Sequence, residues 1–391
     1  MDFDMTSTIC NIKVVGVGGG GNNAVNRMIA AGITGVHFIA VNTDKQDLMM
    51  SNADEIIQIG KELTKGLGAG ANPEVGRAAA EESKDELIKA LQGTNLLFIT
   101  TGMGGGTGSG AAPYIAKLAH DMGILTIGVV TKPFKFEAPK RAANADNAIE
   151  EMKKYVDSLV IIPNEKLYTI LKKDVTFVDS FRYADDVLRQ AIQGVSDLIA
   201  VPGLINLDFA DVSTIMKGKG IAHMGIGKGR GANKTIEAVR QAVTSQLLET
   251  SIEGATGILI NITGGRDLTL SEVYEAVDLV RDVADKDCNI IFGAKINNDS
   301  SGETEITVIA TGFEHYNKAS APDQTPSFKE NSANFTPFVE AEKETETSEH
   351  EEETKEDDEV EEDKVEDISI STKKPVVDDD DIPPFLRKLR R

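Results

Sequence analysis

The sequence has 391 residues, 40% of them apolar, and a formal net charge of −22 at pH 7. A chain of this length can bury the cores of two globular domains. The negative charge argues against general binding to DNA or RNA, because neutralising phosphates requires clustered Lys and Arg. The acidic N-terminus lacks an apolar signal region, and no apolar run reaches membrane-spanning length. We therefore expect neither export by a standard signal nor insertion into a membrane.

Most of the acidity lies near the end of the chain. Residues 340–367 contain 17 acidic side chains and three lysines, which gives −14 for this stretch and leaves −8 for the rest. From about 316 to 374 there are few large apolar side chains, so we predict a disordered linker. Residues 375–391 end in IPPFLRKLRR, where apolar and basic residues return. This composition predicts a short partner-binding peptide.

The two cysteines, Cys10 and Cys288, are far apart in the sequence and have no CxxC spacing. They predict neither a disulfide framework nor a zinc site, and they fit a reducing cytosol.

The first half of the chain alternates strands with helices from Asn11 onward. IKVVGVG, NNAVNRMIAA and VHFIAVNTD predict a strand, a helix and a strand. A helix from Asn72-Pro73 to near Gly93 follows. Next come the strand NLLFITTG, a helix from about Ser109, the strand ILTIGVVT, a helix around 144–156 and the strand SLVIIPN. Continuous apolar strands are covered on both faces, so the pattern predicts a doubly wound α/β domain with a parallel sheet, residues 1–177.

The second half changes character after a long helix. A helix near 166–172 precedes a helical pattern over roughly 178–200, which ends before Pro202-Gly203. Further helices are predicted near 233–249 and 270–285, with strands at GILINIT, CNIIFGAKI and EITVIAT. We interpret 178–202 as a central connecting helix and 203–315 as a second, smaller α+β domain.

The first glycine-rich loop runs from Gly16 to Asn23 between a strand and a helix, and it satisfies GxGxxG. Glycines there let the backbone approach a phosphate at a helix N-terminus. Asp44 closes the next strand, 23 residues after Gly21, as in a dinucleotide-binding fold. Taken by itself, this loop leaves a tight turn without a ligand and NAD binding open.

A second glycine-rich loop, from Gly102 to Gly110, again lies between a strand and a helix. Two anion-binding loops are thus expected at the carboxyl edge of one sheet. Neither loop contains the GK[ST] of a P-loop, so backbone amides and a helix dipole would hold the phosphates.

Several motifs stand in a shared order: GGGTGSG at 104–110, FEAPKR at 136–141, FRYADDVL at 181–188, NLDFADV at 206–212 and the terminal IPPFLRK. Together they resemble the tubulin and FtsZ family, and FtsZ more closely than tubulin. The resemblance implies a cytoplasmic protein that binds and hydrolyses GTP and polymerises head to tail. It implies assembly into the bacterial division ring at midcell, the Z ring, in cell division and septation.

The resemblance also implies roles for individual residues. The nucleotide-binding residues would be Gly19, Gly20, Gly21, Asn22, Asn23, Gly106, Thr107, Gly108, Glu137, Arg141, Asn164, Phe181 and Asp185. The catalytic residues would be Asn206, Asp208 and Asp211, in a loop that enters the nucleotide site of the next subunit. The implied ligands are GTP and GDP with Mg²⁺, and no separate metal site built from protein residues is expected.

The residues themselves permit simpler interpretations at three of these places. Glu137 and Arg141 have the spacing of a surface ion pair. Asp185 has the character of a solvated carboxylate on a helix, and the adjacent Asp186 leaves the assignment open by one residue. Asp208 and Asp211 have the spacing of a helix cap, and a cap and a catalytic role are compatible.

The implied partners are further copies of the chain, and division proteins and membrane anchors that bind residues 381–391; nucleic acid is not expected. Two alternatives remain. An NAD-dependent oxidoreductase is disfavoured by the second glycine loop and by the lack of a plausible catalytic histidine. A GTP-binding filament protein that does not hydrolyse GTP is disfavoured because Asp208 and Asp211 are present.

Overall fold

The computed structural model describes residues 10–170, 175–201, 203–205, 207–245, 252–297 and 302–313. The predictions made for the linker at 316–374, for the peptide at 375–391 and for Asn206 lie outside these residues.

The described residues contain one ten-stranded sheet. Its strands are β1 (Ile12–Val17), β2 (Val36–Asn42), β3 (Glu55–Gln58), β4 (Leu96–Gly102), β5 (Leu125–Lys132), β6 (Ser158–Pro163), β7 (Gly220–Arg230), β8 (Gly257–Gly264), β9 (Asn289–Ile296) and β10 (Glu303–Thr311). Their order across the sheet is β3-β2-β1-β4-β5-β6-β7-β10-β8-β9. All pairs from β3 to β7 are parallel, whereas β10 is antiparallel to β7 and β8. The predicted parallel sheet of the first half is confirmed, and the second half of the chain adds strands of mixed direction to the same sheet.

Helices connect these strands and cover the sheet. They are α1 (Gly18–Ala30), α2 (Lys45–Met49), α3 (Lys61–Thr64), α4 (Pro73–Glu82), α5 (Lys84–Leu91), α6 (Thr107–Asp121), α7 (Pro139–Met152), α8 (Asn164–Ile170), α9 (Phe177–Ala200), α10 (Phe209–Met216), α11 (Lys234–Val243) and α12 (Leu270–Val283), with a 3₁₀ turn at Lys135–Glu137. In the part of the chain that the structure describes, none of them is at once long enough and apolar enough to cross a bilayer.

Neighbouring residues of the central strands point into different cores. On β4, Leu96 and Phe98 pack into the cluster that includes α1 and α9, while Leu97 and Ile99 pack into the cluster that includes α4 to α7. All four side chains are fully buried. The continuous apolar run of this strand therefore follows from helices on both faces of the sheet.

The two blocks seen in the sequence share this sheet. β6 and β7 pair over three positions, from Ser158 opposite Gly220 to Val160 opposite Ala222. The long helix α9 packs in a core that also contains Val160 of β6 and Leu259 of β8. The helix therefore spans the junction between the blocks, and the exact domain boundaries stay a prediction.

Several elements differ from the sequence-based expectation. The short strand β3 and the short helices α2 and α3 were not predicted. The helix expected from Asn72 to near Gly93 is two helices that meet at Ser83, whose Oγ accepts a hydrogen bond from the Gly60 backbone N–H at 3.1 Å. Strand β7 was not predicted, because glycines at alternate positions dilute its apolar pattern. An added Cβ at Gly227 would lie 1.9 Å from the carbonyl oxygen of Ala238, so α11 packs directly on the backbone of β7.

Candidate functional site

The two glycine-rich loops lie side by side at the carboxyl edge of β1 and β4. An added Cβ at Gly20 would lie 3.2 Å from the backbone nitrogen of Gly102, and one at Gly18 would lie 3.1 Å from that of Gly108. Gly18 also has a φ of +71°. Side chains at these positions would push the loops apart, so the glycines permit a backbone-to-backbone contact.

Three helix N-termini surround this contact, those of α1, α6 and α7. Each lacks both a capping side chain and an acidic residue in its first turn. Every other α-helix within the described ranges has an acidic residue in its first turn. Unpaired N–H groups and the positive ends of the helix dipoles thus converge at one edge of the sheet, which is the chemistry that binds phosphate.

The second glycine loop is held in place by its neighbours. An added Cβ at Gly106 would lie 2.8 Å from the Asn72 backbone nitrogen, whereas one at Gly105 would meet nothing within 4 Å. Ser109 Oγ accepts a hydrogen bond from the Gly104 N–H at 2.7 Å. Gly106 is thus enclosed by protein, and Gly105 borders open space.

Thr107, the first residue of α6, contacts the loop that follows β2. Its Oγ1 lies 2.7 Å from Thr43 Oγ1 in a hydroxyl–hydroxyl hydrogen bond. The Thr43 N–H in turn donates to Asn42 Oδ1 at 2.8 Å. Asn42 and Thr43 were not predicted from the sequence, where their only signal is their position at the end of a strand next to a glycine loop.

Glu137 and Arg141 form an ion pair, with 3.1 Å between Arg141 Nε and Glu137 Oε2. Glu137 Oε1 also accepts from the Phe134 N–H at 2.9 Å. Between the pair, Ala138 has φ +82° and ψ 150°, a region that is strained for any residue except glycine. The simpler interpretation as an ion pair is therefore confirmed, although both side chains also border the cavity described next.

A cavity of about 100 Å³ brings together several predicted nucleotide-binding residues. Its lining includes Gly20, Glu137, Arg141, Asn164, Phe181 and Asp185. Asn164 is 5% exposed, and its Oδ1 atom has no hydrogen-bond partner within the protein. Burying an amide oxygen without a partner is costly, so a polar ligand group fits here. Because Arg141 and Gly20 also border the phosphate loops, the cavity continues the phosphate site.

The two asparagines after the first glycine loop point in different directions. Asn22 is buried, and neither its amide oxygen nor its amide nitrogen has a partner in the protein. Asn23 is exposed and lines an open groove with Asn26, Arg27 and Asp185. Both are positioned to offer amide groups near the site.

Asp185, rather than Asp186, faces the cavity. Its Oδ2 lies 3.0 Å from Arg27 Nε, and burial raises the pKa of its carboxyl although Arg27 opposes the shift. Asp186 instead pairs with Arg189 at 2.7 Å and with Gln190. Burial raises the pKa of Asp186, but these partners outweigh it and the net pKa is lowered. Arg27 was missed in the sequence, where nothing local distinguishes it from other helical arginines.

Phe181 stands at the entrance of the cavity within an aromatic cluster. Its ring centroid lies 5.4 Å from that of Phe134 and 5.2 Å from that of Phe177, both edge-on. Phe136 stacks on Phe134 at 5.0 Å and is 62% exposed. Such a cluster can hold one ring face against a planar base.

Asp208 and Asp211 lie at the opposite edge of the sheet. Ala200, the last residue of α9, contacts Gly35 directly before β2. Ser158, the first residue of β6, donates a hydrogen bond to the carbonyl of Met216 in α10. The two aspartates form the predicted capping box, with Asp211 N–H donating to Asp208 Oδ1 at 2.8 Å. The structure does not bring them to the phosphate loops of the same chain.

Two carboxylates, Asp44 and Asp47, follow β2, and an added Cβ at Gly19 of the first glycine loop would lie 3.2 Å from Asp47 Oδ2. Asp44 Oδ1 accepts from the backbone N–H of Gln46 at 2.8 Å and caps α2. This contact uses one carboxylate oxygen of Asp44 and gives it a structural role as a helix cap. No group of three or more metal-binding side chains exists in the described part of the chain. One or two carboxylates beside a phosphate site still fit Mg²⁺, which is usually held by few carboxylates together with phosphates.

This arrangement defines an α/β protein that binds a phosphorylated nucleotide through two backbone loops, without a P-loop lysine. Comparison with known proteins agrees. Residues 11–172 match the GTPase domain of the tubulin/FtsZ family, and residues 220–314 match the C-terminal domain of the FtsZ family.

Solved structures give the same result. An empty FtsZ dimer from M. jannaschii is 44% identical, with a TM-score of 0.77 over 79% of this chain and 90% of that chain. The GTPγS-bound protofilament of CetZ2 from Haloferax volcanii is 23% identical, with a TM-score of 0.65 over 77% and 92%, and shares the fold. The chain belongs to the tubulin/FtsZ family of GTPases.

Proposed function

We propose that this chain is a GTPase that polymerises head to tail, and that each nucleotide site is completed by Asp208 and Asp211 of the next subunit. The observation that carries the proposal is the distance between the two halves of the site. Helix α9 has 24 residues, which corresponds to about 36 Å. Its first turns carry Phe181 and Asp185, whereas the aspartates follow its last turn. Within one chain the aspartates lie far from the nucleotide-binding residues, but a second copy can bring its own aspartates to them.

The exposed apolar side chains support such a contact. At the N-terminal end of α9, Phe136, Phe177 and Val178 are 60% to 64% exposed. Beyond its C-terminal end, Leu204 is 70% exposed. Apolar groups at both ends suit a heterologous interface, which repeats without closing and produces a filament.

Asp208 and Asp211 can serve both as a cap and as catalytic groups. In the capping box each carboxylate uses one oxygen, Asp208 Oδ1 and Asp211 Oδ2. The second oxygen of each remains available to orient a water toward a γ-phosphate. Asn206, also proposed as catalytic, lies outside the described residues. Mg²⁺ bound with the nucleotide would supply charge neutralisation on the phosphates.

At the other side of the site, the chain's own residues would position the nucleotide. The N-termini of α1 and α6 would hold the phosphates, and Glu137 and Arg141 would reach the ribose. Asn164 and Asp185 would accept hydrogen bonds from guanine while Phe181 stacks on it. This assignment is supported by the cavity that these side chains line.

The cellular role extends the proposal. The M. jannaschii relative is an FtsZ dimer and the CetZ2 relative a protofilament, which supports self-association. We propose that the filaments form a cytoplasmic division ring at midcell. Residues 381–391 would bind division proteins and membrane anchors, because their apolar and basic side chains follow a long acidic segment. Deleting 382–391 should abolish binding to such partners and leave GTP turnover nearly intact.

The test of the proposed function is a mixing experiment. Asp211→Ala keeps its own nucleotide pocket and should bind GTP with near-normal affinity while losing most hydrolysis. Thr107→Ala should bind GTP poorly but keep an intact Asp211. Mixed and shown by co-sedimentation to assemble together, the two variants should recover part of the phosphate release, because the pocket of one can meet the aspartates of the other.

No recovery at any mixing ratio in co-assembled filaments would contradict catalysis by the next subunit. Wild-type phosphate release should also rise steeply above a threshold protein concentration. A specific activity that is independent of dilution, with no sedimentable polymer, would contradict the coupling of assembly to hydrolysis. If Asp211 is only a cap, Asp211→Ala should lose about 1 kcal/mol of stability and keep its turnover.

A further inference from the structure

Asp47 places a negative charge against the first phosphate-binding loop. An added Cβ at Gly19 would lie 3.2 Å from Asp47 Oδ2. Gly19 belongs to the first turn of α1, which has no acidic residue of its own. The carboxylate therefore comes from α2, a neighbouring element, and lies where the nucleotide's phosphates would meet the α1 N-terminus.

This charge is not neutralised by a protein cation. Asp47 Oδ2 accepts a hydrogen bond from Asn42 Nδ2 at 3.2 Å. Among the described residues no Lys, Arg or His forms an ion pair with Asp47, and the neighbouring Lys45 is exposed. A bound polyphosphate would thus face an unpaired carboxylate at short range.

The same segment also contacts the second loop. Asn42, which holds Asp47, accepts the Thr43 N–H at 2.8 Å, and Thr43 shares its hydroxyl hydrogen bond with Thr107 at 2.7 Å. Residues 42–47 therefore connect the Asp47 carboxylate to both phosphate loops. The hydrogen bond from Asn42 holds this half-buried carboxylate beside the loops.

We propose that Asp47 makes nucleotide binding depend on a divalent cation. Without the cation, the carboxylate and the phosphates repel each other; with it, the added positive charge offsets the repulsion. The inference rests on the proposed function, because it requires that the phosphates of a guanine nucleotide lie on these loops.

Coulomb's law gives the size of the effect. Two unit charges some 8 Å apart in a water-like dielectric change an affinity about twofold to threefold, and a diphosphate carries more than one charge. Removing the Asp47 charge should therefore raise GDP affinity in EDTA about fivefold to tenfold. In saturating Mg²⁺ the gain should be small.

The experiment measures GDP affinity by calorimetry on the full chain, in EDTA and in Mg²⁺, and compares the ratio of the two affinities. Asp47→Asn and Asp47→Ala both remove the charge. Two such variants are used so that the test still works if one of them folds poorly. Asp47→Glu restores the charge and should restore the wild-type ratio. Asp121→Asn is the matched control, because Asp121 is 60% exposed at the far end of α6, about 21 Å from Thr107 and beyond the Debye length.

We expect the ratio of GDP affinity in Mg²⁺ to GDP affinity in EDTA to fall several-fold in both neutral variants. The ratio should stay at the wild-type value in Asp47→Glu and Asp121→Asn. An unchanged ratio in folded neutral variants, with normal GDP binding by the wild type, would overturn the role of Asp47 only. If the wild type binds no GDP even in Mg²⁺, the guanine-nucleotide site itself is wrong.

Discussion

Arg27 Nε lies 3.0 Å from Asp185 Oδ2, and this contact ties α1 to α9 beside the proposed base site. Burial raises the pKa of Asp185 even with Arg27 opposite. Guanine offers N–H donors, and an ionised carboxylate accepts them better than a protonated carboxyl, which carries a donor of its own. As the pH falls through the raised pKa, Asp185 becomes protonated, and we expect GDP affinity to fall at a higher pH than an ordinary aspartate near 3.9 would allow.

Calorimetric titration of GDP across the acidic range checks this prediction. Asp185→Asn should weaken GDP binding and flatten its dependence on pH. Asp186→Asn should leave the shape of the curve of GDP affinity against pH as in the wild type. The same shift affects folding with a defined sign. Because the native state takes up the proton at a higher pH than the unfolded chain, the contribution of Asp185 to stability is lost as pH rises from its ordinary pKa through the raised one. An affinity that is flat over this range in the wild type would contradict the assignment of Asp185.

Comparing substitutions at Gly105 and Gly106 distinguishes a glycine needed for phosphate binding from one needed for packing. We expect Gly106→Ala to weaken both nucleotide affinity and stability, because its Cβ would lie 2.8 Å from the Asn72 backbone nitrogen. Gly105→Ala should keep its melting temperature, since nothing lies within 4 Å, and lose affinity because the methyl group enters the phosphate space. Thermal unfolding and GDP calorimetry on both variants check this pair. Normal affinity in both would remove the phosphate assignment of this loop.

The packing of α11 on β7 predicts a loss of stability far from the site. At Gly227 an added Cβ would lie 1.9 Å from Ala238 O and 2.7 Å from Ala242 N. We expect Gly227→Ala to lower the free energy of unfolding by about 2–3 kcal/mol, as overpacking does. Urea unfolding measures the change, with Gly105→Ala as the uncrowded control. A loss below about 0.5 kcal/mol, the size typical of surface substitutions, would show that α11 can shift to make room.

The backbone strain at Ala138 predicts a gain of stability on substitution. At φ +82° and ψ 150° an alanine is strained by roughly 1–3 kcal/mol, and the entropy of a glycine in the unfolded chain recovers only about 0.4–1 kcal/mol of this difference. Ala138→Gly should therefore raise the free energy of unfolding by about 1 kcal/mol. Urea unfolding without nucleotide measures it. A variant less stable than the wild type would mean that Ala138 adopts another backbone conformation.

The fold was largely predictable because its strands are buried on both faces and its turns carry glycine or proline. Leu96 to Ile99 read as one apolar run since helices cover each side, and Asn72-Pro73 starts a helix as expected. β7 was not predictable by apolar pattern, since Gly225, Gly227 and Gly229 occupy its helix-facing positions. These positions are glycine because α11 packs directly on the backbone of β7, which the sequence pattern does not reveal.

The site was predictable where a residue type is itself the signal. The glycine-rich loops predict phosphate binding by backbone amides, and the spacing of Asp208 and Asp211 predicted the capping box. Arg27, Thr43 and Asp47 gave no such signal, because their roles come from contacts with Asp185, Thr107 and Gly19, which are distant in sequence. The choice between Asp185 and Asp186 also depended on which one α9 turns toward the cavity.

The three uncapped helix starts of α1, α6 and α7 have a thermodynamic consequence. Helices such as α4, α9 and α12 satisfy their N-termini with capping side chains. Those of α1, α6 and α7 have neither a cap nor an acidic first turn, so a bound nucleotide would satisfy them, and part of the folding free energy should depend on nucleotide concentration. By linkage, a ligand at one hundred times its Kd adds about 2.7 kcal/mol to the stability of the native state. The stability of the protein during purification should therefore depend on the nucleotide in the buffer, and nucleotide-depleted preparations should be the first to unfold.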